Sequence, residues 1–204
     1  MAIESAPISV TEAVLSPDSK QPDQSSLPAQ YVANSNLRFE HITIEEGLSQ
    51  NGGNAIIQDS KGFMWFGTQD GLNKYDGYNF TVYKHDPENS ASISDNWIWA
   101  ILEDRKGTIW IGTQSGGLNS YDRVLDQFTQ YQHDPDDTNS LSDNEVLAIH
   151  EDSAGTLWVG TRSGLNKLDR QNETFTQYQY DTDDAQSLSA EAVLSIYEDG
   201  DGEL

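Results

Sequence analysis

Residues 100–122 read AILEDRKGTIWIGTQSGGLNSYD. The same order of residues occurs in IIQDSKGFMWFGTQDGLNKYD at 56–76 and in AIHEDSAGTLWVGTRSGLNKLD at 148–169, and it starts again in SIYEDGDGEL at 195–204. The shared frame is Asp, two residues, Gly, two residues, Trp, one apolar residue, Gly-Thr, then Gly-Leu-Asn. Its aspartates, Asp59, Asp104, Asp152 and Asp199, are spaced by 45, 48 and 47 residues. A period of this size indicates a propeller or a solenoid.

The third copy shows which. Val146–His150 and Leu157–Thr161 are short apolar runs with a turn sequence, Asp-Ser-Ala-Gly, between them. Leu165–Asp169 and the alternating segment Thr174–Tyr180 follow, separated by the polar turn 170–173. Short runs rich in β-branched and aromatic residues, divided by turn signals, predict a four-stranded antiparallel meander. No window carries a sustained helical stripe. Four strands per unit of this length is a propeller blade.

Positions in the frame then take physical roles. Ile56, Ile101, Ile149 and Ile196 stand three residues before each aspartate, and Ala55, Ala100, Ala148 and Ser195 precede them. Small and apolar residues so paired suit an innermost strand crowded near the propeller axis. Trp65, Trp110 and Trp158 are expected between neighbouring blades, where burying an indole contributes roughly 4–6 kcal/mol gross. Gly62, Gly107, Gly155 and Gly202 allow positive φ in the first hairpin of each blade, and the aspartates are expected to accept N–H groups of the same turn. These are structural repeat positions, not catalytic ones. The segment DGDGE at 199–203 resembles part of a calcium loop, but the frame reads it as the ordinary turn of a further blade.

The expected fold is therefore all-β. It is an incomplete β-propeller of about three four-stranded antiparallel blades plus a partial fourth, behind a disordered N-terminal tail. The tail is 1–36, where Pro7, Pro17, Pro22 and Pro28 punctuate a polar sequence. Propeller residues are 37–204: a closing strand at 37–44, blades at about 52–84, 96–132 and 144–180, and the partial blade at about 191–204. The closing strand rests on the likeness of Arg38-Phe39-Glu40-His41-Ile42 to the outer strands that open at Phe80, Phe128 and Phe175. The frame breaks off where the next tryptophan is due, so the chain reads as a truncated piece whose end faces invite association.

These motifs, GFMWFGTQDGLNKYDGYNF, GTIWIGTQSGGLNSYD and GTLWVGTRSGLNKLD, resemble the two-component regulator propeller repeat, and the lead-in FEHITIEEGLSQN resembles the start of such sensor regions. The resemblance covers residues 38–204. It implies an extracytoplasmic, periplasmic sensor region of a hybrid histidine kinase, whose ligand in many members is a carbohydrate. It also implies missing propeller blades and downstream signalling domains as partners, and it allows for a dimer of the whole sensor.

Composition bounds the chemistry independently. The 204 residues carry 34 acids against 11 bases, a net charge of −23. That excludes phosphate-neutralising surfaces, and so nucleic acid, and it disfavours anionic membranes. With no cysteine there is no disulfide or thiolate metal site. No apolar run approaches the roughly 18 residues of a membrane helix, and the opening MAIESAPISVTEAVL lacks the layout of a secretory signal. No cofactor is expected.

Candidate ligand positions lie in the inter-blade loops KHDPENSASISDN, QHDPDDTNSLSDN and QYDTDDAQSLSAE, each 13 residues from start to start of its flanks. A constant length at this size predicts a defined conformation. Asp86, Glu88, Asp134, Asp136, Asp137, Asp181, Asp183 and Asp184 give these loops a negative rim. The rim either caps turns and keeps the protein soluble, or binds a polyhydroxyl ligand or divalent cation. His85 and His133 are repeat-related loop residues and are not expected to bind metal. Trp97 and Trp99, without counterparts in the other units, are expected as extra core. The leading functional reading is a non-catalytic sensing module. The alternatives are a protein-binding scaffold propeller and a fragment of a propeller glycosidase. Against the glycosidase, the arginines Arg38, Arg105, Arg123, Arg162 and Arg170 do not recur at an inward position.

Overall fold

The computed structural model describes residues 41–204. Twelve strands form three separate four-stranded sheets, each a sequential antiparallel meander. The first blade comprises β1 (Gly53–Gln58), β2 (Met64–Thr68), β3 (Gly71–Tyr75) and β4 (Phe80–Tyr83). The second comprises β5 (Ile98–Glu103), β6 (Ile109–Thr113), β7 (Leu118–Asp122) and β8 (Gln127–Tyr131). The third comprises β9 (Val146–Glu151), β10 (Leu157–Thr161), β11 (Gly164–Asp169) and β12 (Thr174–Tyr178). Strands β5 and β9 pack beside β1 and β5 respectively, so the first strands of the blades are neighbours, as in a propeller.

The register repeats with the sequence. Trp65, Trp110 and Trp158 lie opposite Ile57, Leu102 and His150 on the first strands. They also lie opposite Lys74, Ser120 and Lys167 on the third. Each first strand shifts register near its start, between Gly53 and Ala55, between Ile98 and Ala100, and between Val146 and Ala148. One extra residue, Asn54, Trp99 or Leu147, is accommodated at that point.

Two apolar clusters form the core, and both lie between blades. Trp65, Leu72 and Ile93 meet Ile98, Ile109, Ile111, Tyr121 and Phe128 in the first. Trp110, Leu118 and Leu141 meet Val146, Leu157, Val159, Leu168 and Phe175 in the second. Trp65 is fully buried, edge-on to Tyr121 of the next blade at 5.2 Å between ring centroids. Close approach of the sheets explains the Gly-Thr of the frame. A Cβ on Gly67 would sit 2.6 Å from Ile98 Cγ2, one on Gly112 2.6 Å from Val146 Cγ1, and one on Gly160 2.7 Å from the carbonyl oxygen of Val193. Glycine at these points lets a strand of one blade touch the first strand of the next.

Three expectations need correction or restriction. The closing strand at 37–44 lies partly outside the described residues. Its described part, 41–44, forms no strand and runs into a turn closed by Glu46, whose carboxylate accepts the Thr43 N–H at 2.7 Å. Residues 191–204 also carry no assigned strand, although Val193 N–H donates to Thr161 O at 3.0 Å. Trp97 and Trp99 belong to neither core cluster. They are half-buried and pack against each other at 5.7 Å; Trp99 is the extra residue at the register shift of β5, and Trp97 lies just ahead of that strand.

Candidate functional site

The long loops share one design. In each, a carboxylate closes a turn on the residue two places on: Asp86 accepts from Glu88 N–H, Asp134 from Asp136 and Asp181 from Asp183, at 2.9–3.0 Å. A serine six residues later clamps the same aspartate's backbone. Ser92, Ser140 and Ser187 Oγ accept the N–H of Asp86, Asp134 and Asp181 and donate to their carbonyls. A second turn follows, in which Asp137 and Asp184 accept from Asn139 and Gln186, with Asn89 in the corresponding place in the first loop. The defined conformation therefore comes from Asx turns. Glu88, Asp136 and Asp183 make none of these carboxylate bonds and are exposed.

The first two loops, and the lead-in at Ser49, are anchored to the blade that follows them. Asn119 Oδ1 accepts Ser94 N–H at 3.0 Å and its amide donates to Ser94 Oγ at 2.7 Å, with both residues buried. Asn73 with Ser49, and Asn166 with Ser142, repeat this. Buried polar groups require such partners, and this network gives the Asn of Gly-Leu-Asn its role. The loops and the turns between second and third strands meet at one end of the blades: Asp95 accepts from Ser115 N–H and Oγ at 2.8 Å, and Asp143 from Ser163 Oγ at 2.8 Å. Beside the second loop lies a cleft of about 310 Å³ whose lining includes Gln130, Gln132, Asp134, Asp137, Asn139 and Thr174. Among the described residues, no group of three or more His, Asp or Glu side chains is arranged to hold a metal ion. His85 and His133 are committed to the loops, with Nδ1 against the carbonyls of Ile93 and Leu141.

The frame aspartates form a second, buried constellation. Asp59 Oδ1 accepts the N–H groups of Lys61 and Phe63, and Asp104 Oδ1 those of Lys106 and Thr108, all at 2.9 Å. Asp152 accepts from Thr156 at 2.7 Å. Gly62, Gly107, Gly155 and Gly202 take φ of 81–91° to close these turns. At 199–203 the same turn is present: Asp199 accepts from Asp201 and Glu203 N–H, so the DGDGE carboxylate serves backbone amides. The other oxygen carries what sequence reading missed. Asp59, Asp104 and Asp152 Oδ2 accept the indole N–H of Trp65, Trp110 and Trp158 at 2.8–2.9 Å. The constant Asp-to-Trp spacing of six residues is the signal that could have revealed it.

Sequence reading also missed two arginines. Arg123, in the second blade, reaches back to Asp59 of the first at 2.7 Å and to Glu103 at 2.8 Å. Arg170, in the third, pairs in the same way with Asp104 and Glu151. The two glutamates also accept backbone N–H groups of the preceding blade's turn, from Ser60 and Arg105. Burial pushes the carboxyls of Asp59 and Asp104 up. The indole, the arginine and the turn amides outweigh it, so both sit below the ordinary aspartate value. At the same interface Tyr83 and Tyr121 hydroxyls both donate to Asp126, and burial first, then that carboxylate, pushes Tyr121 up to about 12.

Comparison with known proteins follows this anatomy. The model of the two component regulator propeller matches residues 47–70, 92–115 and 140–163, so the matches run from the lead-in or the end of a long loop through the Asp-Gly-Trp-Gly-Thr frame. Histidine kinase P4 of Formosa agariphila is 51% identical over 69 residues, 34% of this chain and 5% of that protein. The extracellular domain of the proposed hybrid two component system BT3049 of B. thetaiotaomicron is 37% identical with a TM-score of 0.69, over 75% of this chain and 21% of that one. The extracellular domain of the proposed hybrid system BT4673 from the same organism gives 25% identity and a TM-score of 0.63, over 77% and 20%. This chain thus spans about a fifth of these two solved chains and 5% of the histidine kinase. No helix among the described residues is long and apolar enough to cross a membrane. The chain therefore carries three copies of the two component regulator propeller repeat, one at the start of each blade.

Proposed function

We propose that this chain is a non-catalytic, ligand-sensing propeller segment of a two-component sensor of the hybrid histidine kinase type. It works outside the cytoplasm and reports through signalling domains elsewhere in the sensor. The observation that carries this is the 37% identity over 75% of the chain to the extracellular domain of a hybrid two component system. The loop rim is the ligand-facing end. Its cleft offers amide, hydroxyl and carboxylate groups side by side in Gln130, Gln132, Asn139, Thr174, Asp134 and Asp137. That mixture of donors and acceptors suits a neutral polyhydroxyl ligand such as a carbohydrate, and the negative charge of the loops disfavours anions.

The test is a thermal-shift panel of neutral oligosaccharides, followed by calorimetry on the best binder. The protein with Asp134→Asn, Asp136→Asn and Asp137→Asn together is run in parallel. Saturable binding weakened at least tenfold in the triple variant is the expected result. Binding that the triple variant leaves unchanged removes the rim as the site. Conversion of the saccharide to products removes the non-catalytic assignment.

A further inference from the structure

The inter-blade arginine bridge is built twice and prepared a third time. Arg123 joins Asp59 to Glu103, and Arg170 joins Asp104 to Glu151. In each case the aspartate belongs to one blade, and the glutamate and arginine to the next. The third pair of carboxylates is Asp152 and Glu198. Asp152 holds its turn and the Trp158 indole as its counterparts do. Glu198 Oε2 accepts Ser153 N–H at 2.7 Å, the bond that Glu103 makes to Ser60 and Glu151 to Arg105. Among the described residues no arginine reaches either carboxylate. Both are largely withdrawn from solvent, Asp152 at 9% exposure and the Glu198 side chain at 14%.

Next to this pair lies a cleft of about 440 Å³ lined by Trp158, Leu165, Tyr178, Leu188 and Leu204, among others. It corresponds to the first core cluster, where Trp65, Leu72 and Ile93 are covered by Ile109, Tyr121 and Phe128 of the following blade. Trp110 is covered in the same way by Leu168 and Phe175. In both described interfaces the covering residue brings an arginine with it, because Tyr121 and Leu168 are followed within two residues by Arg123 and Arg170.

We propose that Asp152 and Glu198 form a guanidinium-binding site, and that the Trp158 face docks a β-hairpin of a further repeat blade. That hairpin carries an aromatic or leucine residue, then Asp-Arg at the end of its first strand, and phenylalanine in its second. Two observations carry the choice: the carboxylate pair is complementary to a guanidinium in the fork geometry seen twice, and the face continues an interface already established between the other blades. A second copy docking through its first blade does not meet the requirement. In that blade Asp76 is followed by Gly77, so no arginine is supplied to Asp152 and Glu198.

The test extends the chain beyond Leu204 with a second copy of its own Trp158–Tyr180, which supplies the arginine as a copy of Arg170. Urea unfolding is measured for the extended chain, for Asp152→Asn, for the appended arginine changed to Gln, and for both changes together. The expected result is that the extension raises the midpoint. Each change should lower it, and the double change should cost at least about tenfold less in the folding equilibrium constant than the two single losses multiplied. Multiplicative losses overturn the guanidinium assignment, and so does an equal Asp152→Asn loss in the chain ending at Leu204. Sedimentation of the unextended chain tests the other occupant. Head-to-tail oligomers that Asp152→Asn dissociates would make a second copy the partner and overturn the proposal.

Discussion

Replacing Asp104 with Asn alters the bridge without changing its shape. The Asp104 side chain is fully buried and its two oxygens have different duties. Oδ1 accepts two turn amides, which an asparagine oxygen can still do. Oδ2 accepts the Trp110 indole and the Arg170 guanidinium, and there the variant presents an NH₂ group to two donors. Removing one partner of a buried ion pair costs about 3–5 kcal/mol. Arg170 keeps Glu151 and is partly exposed, so the lower part applies, roughly 3–4 kcal/mol. With an m-value of about 2 kcal/mol/M, the urea midpoint falls by about 1.5–2 M. The pH dependence has a definite sign. Asp104 is depressed below its ordinary value, so its contribution is fully present above about pH 3.8 and is lost as pH falls through the folded-state value. The gap between native protein and variant is therefore constant from pH 5 to 8 and closes in acid. A midpoint shift below about 0.5 M at pH 7, or a gap that widens on acidification, would refute the reasoning.

Other changes probe other parts of the architecture. Trp65→Ala removes a fully buried indole from the first cluster and is expected to cost about 3–5 kcal/mol by chemical denaturation. Gly67→Ala places a methyl 2.6 Å from Ile98 Cγ2 and should cost about 1–3 kcal/mol; the thermal midpoint should recover in part when Ile98→Ala is added. Asn119→Leu strands the Ser94 amide in a buried site at a cost of about 1–3 kcal/mol, and the hydrogen-exchange protection of that amide should fall with it. Asp136→Asn, on an exposed loop position, should stay within about 0.5 kcal/mol of the native protein in the same assays.

What the amino-acid sequence disclosed was whatever repeats along one blade. The Asp-Gly turn, the tryptophan six residues on and the isoleucine of the inner strand are local, and their recurrence at one offset is visible without coordinates. What stayed hidden acts between blades. Arg123 and Asp59 are 64 residues apart, and Arg170 and Asp104 are 66 apart. The arginines follow an aspartate that already reads as a turn, and the first blade has Gly77 there, so no repeat position announces them. The serine–asparagine anchors escaped for a related reason: their spacing of 24–25 residues joins a loop to a later strand. The rim was legible as charge, but its Asx turns showed that much of this charge holds the loops in shape. Trp97 and Trp99 belong to neither core cluster, although residue type suggests core: Trp99 falls at the register shift of β5 and Trp97 just ahead of that strand.

The bridges all point the same way along the polypeptide. The Asp59 and Asp104 turns are each neutralised by an arginine that leaves the ribosome more than sixty residues later than the aspartate it serves. The first and second blades therefore each hold an uncompensated acid until the next blade has been made. Stiffness gained in this manner is shared by neighbours, so a distortion imposed on one of these sheets is passed to the first turn of the sheet before it.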